Sequence, residues 1–290
     1  MRSARLLKRK CLLSSVINLA TLTILIENTK PEGSELIAEH GLSFFVETDQ
    51  TKFIFDCGHT GAAFDNAKLL GIDLRGIKIA ALSHSHYDHA GGFKRLSDFA
   101  PIETIYTGEN FWEEKFSQSI PNSSFHIPNY LYRGCGFDKN FLTARGIEQK
   151  ICRDVIQLDE TAWLVGNFKR RYDFETVPKK FVRGDKKIPD DFSDEIVLVL
   201  RGSDGLSIVT ACSHVGILNI VADVRERFST PIVNIIGGLH LTGATSGRIS
   251  KTLAELKNLG VKKILSCHCS GENFMNNFND RIYTGSVTIV

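Results

Sequence analysis

The sequence predicts an α/β chain in which sheets and helices form layers, and three observations carry that expectation. The last third of the 290 residues alternates β-rich runs with amphipathic helical segments. The first third gives strand, hairpin, strand, helix and strand in quick succession. A hydrophobic content of 42% is enough to bury a substantial core as one large domain.

In chain order, Thr21-Leu22-Thr23-Ile24-Leu25-Ile26 alternates polar and apolar side chains as a half-buried strand does. Leu42 to Thr48 and Thr51 to Asp56 are β-rich and flank Asp49-Gln50, which suits a tight hairpin. Gly61 to Leu70 reads as a helix closed by Gly71, and Ile77 to Ser83 as a strand that ends in a histidine cluster. From about Phe111 to Phe192 no steady period holds and Pro121, Pro128, Pro178 and Pro189 intervene, so this stretch is expected to be an insertion of loops and short elements within a domain of residues 17–290. Regularity returns with strands Ile196 to Leu200, Leu206 to Ala211, Pro231 to Ile236 and Val261 to Cys267. Helices Ile217 to Phe228 and Ile249 to Leu259 alternate with them.

Charge and cysteine usage narrow the function classes. With 35 basic against 33 acidic side chains, the whole-molecule field gives no reason to expect nucleic-acid binding. Charge is concentrated locally: Lys169 to Lys187 holds eight basic side chains against three acidic ones, and Arg170 and Arg171 are its candidate contacts to an anionic small-molecule substrate. The seven cysteines (11, 57, 135, 152, 212, 267 and 269) are odd in number and dispersed, unlike a disulfide framework, which points to a reducing cytoplasm. Basic residues 2–10 followed by an apolar run mimic a signal peptide. The strand alternation at Thr21 to Ile26 instead makes residues 1–16 an extension, and no stretch is apolar for long enough to span a membrane.

His84, His86, Asp88 and His89 stand within six residues at the carboxyl end of a strand. Residues 84 and 86 share a strand face, whereas Asp88 and His89 need a loop to bring them beside a second position. Imidazole and carboxylate are donors that zinc, manganese or iron(II) take, so the spacing suits two adjacent divalent ions.

The run Asp56-Cys57-Gly58 after a strand, followed by Leu82-Ser83-His84-Ser85-His86-Tyr87-Asp88-His89-Ala90-Gly91-Gly92, resembles the signature of the metallo-β-lactamase superfamily. Glu39-His40-Gly41-Leu42-Ser43, Cys212-Ser213-His214-Val215-Gly216-Ile217, Gly237-Gly238-Leu239-His240-Leu241 and His268-Cys269-Ser270-Gly271 are similar to its branch of 7,8-dihydropterin-6-methyl-4-(β-D-ribofuranosyl)-aminobenzene-5′-phosphate synthase-like proteins. The resemblance covers about residues 20–110 and 192–290.

The resemblance implies a four-layer αβ/βα sandwich with two metals at one edge. It implies that His84, His86 and a later histidine hold one ion, that Asp88, His89 and a last histidine hold the other, and that Asp56 orients the cluster. Three later histidines compete for two places; His214 and His268 are the expected ligands, and His240 is expected at the cleft as a substrate or proton-transfer residue beside a mobile segment Thr242 to Gly247. Cys212 stands where hydrolases of the superfamily usually place a bridging Asp, and a thiolate can bridge zinc. His40 is a further candidate at the cleft. The expected activity is hydrolysis of a phosphate- or ester-containing substrate by a metal-bound hydroxide, with Asp88 and His240 as catalytic residues. The alternatives are a synthase-type condensation or an iron- or thiol-based redox reaction, the last disfavoured by His86 where the di-iron relatives carry Glu.

Overall fold

The computed structural model describes residues 19–119, 129–276 and 280–290; the extension read at residues 1–16 and His126 lie outside them. Thr21–Ile26 (β1), Ser43–Glu47 (β2) and Lys52–Phe55 (β3) form an antiparallel meander. Its hairpin turn is closed by the Thr48 N–H, which donates to the Thr51 carbonyl at 2.9 Å. After Ala62–Leu69 (α1), Ile79–Ala81 (β4) adds in parallel to β3. Tyr87–Ala90 (α2) and Phe93–Phe99 (α3) then return the chain to Thr104–Thr107 (β5), parallel to β4.

The middle of the chain is not one inserted block. Lys115–Ser119 (β6), Asn129–Tyr132 (β7), Phe181–Arg183 (β11) and Ile188–Pro189 (β12) make a small sheet of their own. Between them come Lys139–Ala144 (α4), Glu148–Ile151 (β8), Val155–Gln157 (β9) and Ala162–Gly166 (β10). These strands join the two main sheets, which corrects the reading of 111–192 as a single insertion.

The last third runs Ile196–Arg201 (β13), Leu206–Thr210 (β14), Ile217–Phe228 (α5), Ile232–Gly237 (β15), Ser246–Asn258 (α6), Lys263–Ser266 (β16), Glu272–Met275 (α7) and Val287–Ile289 (β17). One main sheet has the order β17-β1-β2-β3-β4-β5-β8 and the other β16-β15-β14-β13-β10-β9. Helix α6 starts three residues before the expected Ile249, because the Thr245 hydroxyl accepts from the Arg248 N–H and caps it. The expected mobile segment at 242–247 therefore loses its last two residues to a helix.

Three apolar clusters fill three spaces between four layers. Leu22, Ile24, Phe44 and Phe55 meet Leu164, Leu198, Val209 and Ile236 between the sheets. Outside the first sheet, Leu25, Phe45 and Ile54 pack on Phe64, Phe93 and Leu96 of α1 and α3. Outside the second, Val197, Val199 and Ile208 pack on Leu218, Val221 and Val224 of α5. Strand β13 shows the period of two directly: Ile196, Leu198 and Leu200 face the inner space, while Val197 and Val199 face the helices. The fold is the four-layer αβ/βα sandwich.

Strands β3 and β4 in one sheet and β14, β15 and β16 in the other pair in parallel, and the loops at their carboxyl ends carry Asp56, His84, Cys212, His240 and His268. Open α/β sheets bind ligands at those ends.

Candidate metal centre

Strands β3, β14, β15 and β16 each hand the chain to the site through an unusual turn. Asp56, Ser213, His240 and His268 all have left-handed backbones, with φ of 61°, 61°, 49° and 54°. Such conformations in residues other than glycine cost energy and concentrate where a side chain must be aimed. Gly238 permits a close approach of two chains, since a Cβ there would lie 2.2 Å from the Ala211 carbonyl oxygen.

The fully buried Asp56 carboxylate organises the first loop. Its Oδ1 accepts the Ser83 N–H at 2.7 Å, and its Oδ2 accepts the Ser83 hydroxyl at 2.7 Å and faces His89 Nδ1 at 2.9 Å. Because the Ser83 hydroxyl donates to Asp56, it can only accept from His84 Nδ1, 2.9 Å away. Both rings are thereby fixed with the proton on Nδ1 and the lone pair on Nε2. His268 is fixed alike: Nδ1 faces Asn28 Oδ1 at 2.9 Å, and its backbone N–H donates to Glu27 Oε1 at 2.7 Å.

Five imidazoles, one carboxylate and one thiol converge. His84, Cys212 and His214 place donor atoms within 4.8 Å of one another, as do His89, Cys212 and His268, so the thiol belongs to both groups. The His86 ring lies 4.7 Å from that of His84 and 5.0 Å from that of His214. Asp88 Oδ2 lies 3.5 Å from His268 Nε2, 3.8 Å from His89 Nε2 and 3.1 Å from His40 Nε2. His240 belongs to neither group of donors; its ring sits 4.3 Å from that of His214.

These donors suit divalent cations. His84 Nε2, His86 Nε2 and both ring nitrogens of His214 are buried without a hydrogen-bond partner, a costly arrangement unless something else engages them. On the other side, His89 Nε2 stands 3.2 Å from both His268 Nε2 and Cys212 Sγ. Burial holds His84, His214 and His268 below the usual imidazole range and brings His86 down to about 3, which leaves neutral rings able to bind metal. Burial would lower His89 too, but Asp88 and then Asp56 push it up to about 9: a proton there relieves the same concentration of negative charge that a cation would. Burial, with Cys269 beside it, raises the Cys212 thiol, whose deprotonation would need the metal itself.

Residues that carry no ligand hold these loops. The buried Glu195 accepts the His214 and Val215 N–H groups at 2.8 and 2.7 Å, and its carboxyl is pushed up to about 7 by burial. Asp194 Oδ2 accepts the Ser85 N–H at 2.9 Å, and its other oxygen meets Lys115 Nζ at 2.8 Å. Phe192 stacks on His214 at 3.8 Å. The sequence reading singled out none of Glu27, Asn28, Lys115, Phe192, Asp194 or Glu195. The available signal was topological: β13 runs antiparallel to β14, so residues before β13 lie beside the end of β14.

The cluster opens into a cavity of about 740 Å³ lined by His40, Asp88, His214, His240, His268 and Cys269, among others. Arg170 and Arg171 do not line it. Arg170 donates to the Val215 and Asp191 carbonyls, and Arg171 pairs with Asp223 and Glu226 of α5, so their expected role in substrate binding is corrected. The basic side chains that line it are Arg133, Lys180 and Arg248. Cys267 and Cys269 do not share a face opposite His268 as a continued strand would place them: β16 stops at Ser266, and His268–Ser270 forms a 3-10 turn.

A family model for the metallo-β-lactamase superfamily matches residues 36–268. The chain belongs to the metallo-β-lactamase superfamily. Among its relatives, the 7,8-dihydropterin-6-methyl-4-(β-D-ribofuranosyl)-aminobenzene-5′-phosphate synthase of Methanocaldococcus jannaschii is 30% identical, over 91% of this chain and 94% of that protein. Tm1679, described as a metal-dependent hydrolase of the β-lactamase superfamily, superposes with a TM-score of 0.76 at 28% identity, covering 93% of this chain and 99% of that one. The metallo-β-lactamase fold protein YhfI from Bacillus subtilis shares the fold at a TM-score of 0.56 and 11% identity, covering 94% of this chain and 100% of that one. Among the described residues, no helix of this superfamily member is long and apolar enough to cross a membrane.

Proposed function

We propose that the chain is a dinuclear metal-dependent enzyme of hydrolase type, acting in the cytoplasm on a small anionic substrate that contains a phosphate or ester. The observation that carries this reading is the pair of donor groups sharing Cys212, with buried imidazole nitrogens that no protein atom satisfies. His84, His86 and His214 would hold one ion and Asp88, His89 and His268 the other, with the Cys212 thiol common to both donor groups. Imidazole with a thiolate favours zinc, with iron and manganese as alternatives. Bound ions of this kind supply Lewis acidity toward a substrate oxygen and acidify water.

The remaining steps belong to the protein. Burial brings His240 down to about 4, so at neutral pH it presents an uncharged ring to the cavity and can take a proton from an attacking oxygen and pass it to the leaving oxygen. Asp88, hydrogen-bonded by His40, is a fixed acceptor that orients the nucleophile. Free thiols at all six described cysteines support a reducing compartment. A second reading, condensation of a pterin-linked ribofuranosyl-aminobenzene phosphate, is favoured by Cys212 in the usual carboxylate place and by the likeness to a synthase.

Elemental analysis after gentle purification should give two divalent ions per chain. Reproducibly one or none, without recovery on adding zinc or manganese, refutes the dinuclear reading. His214→Ala and His268→Ala should lose metal, whereas His240→Ala should keep both ions and lose kcat; ion loss in His240→Ala would move that residue into the ligand set. Turnover of phosphodiesters or lactones, against turnover of pterin phosphates alone, separates hydrolysis from condensation.

A further inference from the structure

The cavity is strongly cationic in a nearly neutral molecule. Arg133, Lys180 and Arg248 line it, and the one carboxylate among its lining residues, Asp88, is already engaged by His40 and His268. Arg171, Arg183 and Arg227, by contrast, each meet two carboxylates. Among the described residues, none of the three cavity cations pairs with an acid. Arg248 Nε is buried and has no hydrogen-bond partner. Leaving a buried guanidinium N–H unmade is costly, and an acceptor brought by a ligand removes that cost.

The three cations are held where a ligand would meet them. Arg133 Nε donates to the Ser117 hydroxyl at 2.8 Å and Nη1 to the Tyr87 hydroxyl at 3.4 Å, which fixes the fork on the Tyr87 side of the cleft. Lys180 Nζ lies 5.1 Å from the Phe181 ring, and that ring packs against His214 and His240 at 5.5 and 5.9 Å. Arg248 stands in the first turn of the 13-residue helix α6, and Thr242, Gly243 and Ala244 lead into that turn along the cavity wall. The helix end adds a partial positive charge to the guanidinium. A monoanion needs one such partner; a group that uses two guanidinium forks and an ammonium carries two charges and several acceptor oxygens.

We infer that Arg248 and Lys180, beside His240, with Arg133 from the Tyr87 side, form a subsite for a phosphate monoester group of the substrate, separate from the metal ligands. This rests on the dinuclear reading for the reaction, but not for the binding itself. The phosphate is then the handle by which the substrate is placed, and the bond that reacts lies nearer the histidine cluster.

The test is calorimetric titration of phenyl phosphate into the metal-loaded full-length protein. Arg248→Met, Lys180→Met and Arg133→Met should each bind on the order of ten- to a hundred-fold more weakly with metal content unchanged. Arg248→Lys should recover part of the loss, and Arg171→Ala should bind as wild type does. Wild-type protein stripped with a chelator should still bind. If the three Met variants match wild type and chelation abolishes binding, the phosphate sits on the metals and the subsite is wrong, while the dinuclear reading survives. Absence of binding to wild type at millimolar phenyl phosphate also overturns it. Binding that depends on Arg248 in a protein that takes up neither zinc nor manganese would keep the subsite and sink the dinuclear reading. Should Arg248→Met fail to fold, the exposed Lys180 still decides the matter.

Discussion

Replacing Asp56 by Asn keeps the shape of the side chain and removes its second acceptor, and the consequence can be followed atom by atom. Asp56 accepts three protons, from the Ser83 N–H, the Ser83 hydroxyl and His89 Nδ1, the last two at the same oxygen. If the Asn oxygen stays on the Ser83 N–H, its NH₂ confronts His89 Nδ1, which must surrender its proton. The ring then carries the proton on Nε2, the atom that faces Cys212 and His268. If the amide is turned the other way, its NH₂ meets the Ser83 N–H and leaves a buried donor unsatisfied, at about 1–3 kcal/mol. Either arrangement loses a charge-assisted bond to a metal ligand, and partners of that kind are worth about 10–100-fold in metal affinity, or about 1.4–2.7 kcal/mol. The assay is a chelator competition that resolves the two ions: the one on the His89 side should weaken by that factor, and the His89 imidazole should titrate lower than about 9. Affinities within twofold of wild type for both ions would refute the orienting role.

Two further outcomes follow from buried charge. Lys115, 1% exposed, lies 2.9 Å from Asp190 and 2.8 Å from Asp194, so Lys115→Met leaves buried carboxylates unpaired and should cost about 3–5 kcal/mol in urea unfolding; adding Asp190→Asn and Asp194→Asn should restore part of it, and a loss under about 1 kcal/mol would show that the charge is not needed. The chelated protein should lose stability as pH falls through 6.5, because His86 and His240, held by burial at about 3 and about 4, stay neutral when folded while the unfolded chain binds protons. Each removes about 2 kcal/mol by pH 5. His89, at about 9, works in the opposite sense: its contribution is complete below 6.5 and is lost as pH rises through 9. Urea midpoints at pH 6.5 and 5 check the balance, and a midpoint that rises between them would refute it.

The regular thirds of the chain were legible because their periodicity is local. Helix Ile217–Phe228 was read to the residue, and β1 likewise, since alternation in one segment reports which faces are buried. Strands β8 to β12 were not, because they are two to five residues long, too short for an alternation of faces to show. The first ligand cluster was visible as spacing. The basic segment showed the other limit of composition: Lys180 reaches the cavity, but Arg171 is claimed by Asp223 and Glu226, some fifty residues on, and no count of charges contains that pairing. Arg248 went unnoticed because Ser246-Gly247 before it reads as loop, although the Thr245 cap makes it helix.

Apart from Asp56, what escaped the sequence most completely is the outer ring of carboxylates, and it explains how several strained loops hold one geometry. Asp56 accepts the backbone N–H beside His84, Asp194 the one between His84 and His86, Glu195 those of His214 and Val215, and Glu27 that of His268. Each buried acid thus grips the backbone at or next to a donor residue rather than the donor ring alone, so a ring cannot drift without breaking a buried hydrogen bond, worth about 1.5–3 kcal/mol where the acid is charged. The same acids place negative charge around a cluster whose inner donors are mostly neutral imidazoles. The two divalent cations we propose would bring four positive charges into a site with only Asp88 and the Cys212 thiol to oppose them directly, and in a low-dielectric interior that imbalance would be severe. In that reading the outer carboxylates set both position and charge, so exchanging any of them for its amide should cost metal affinity as well as the hold on the loop it anchors.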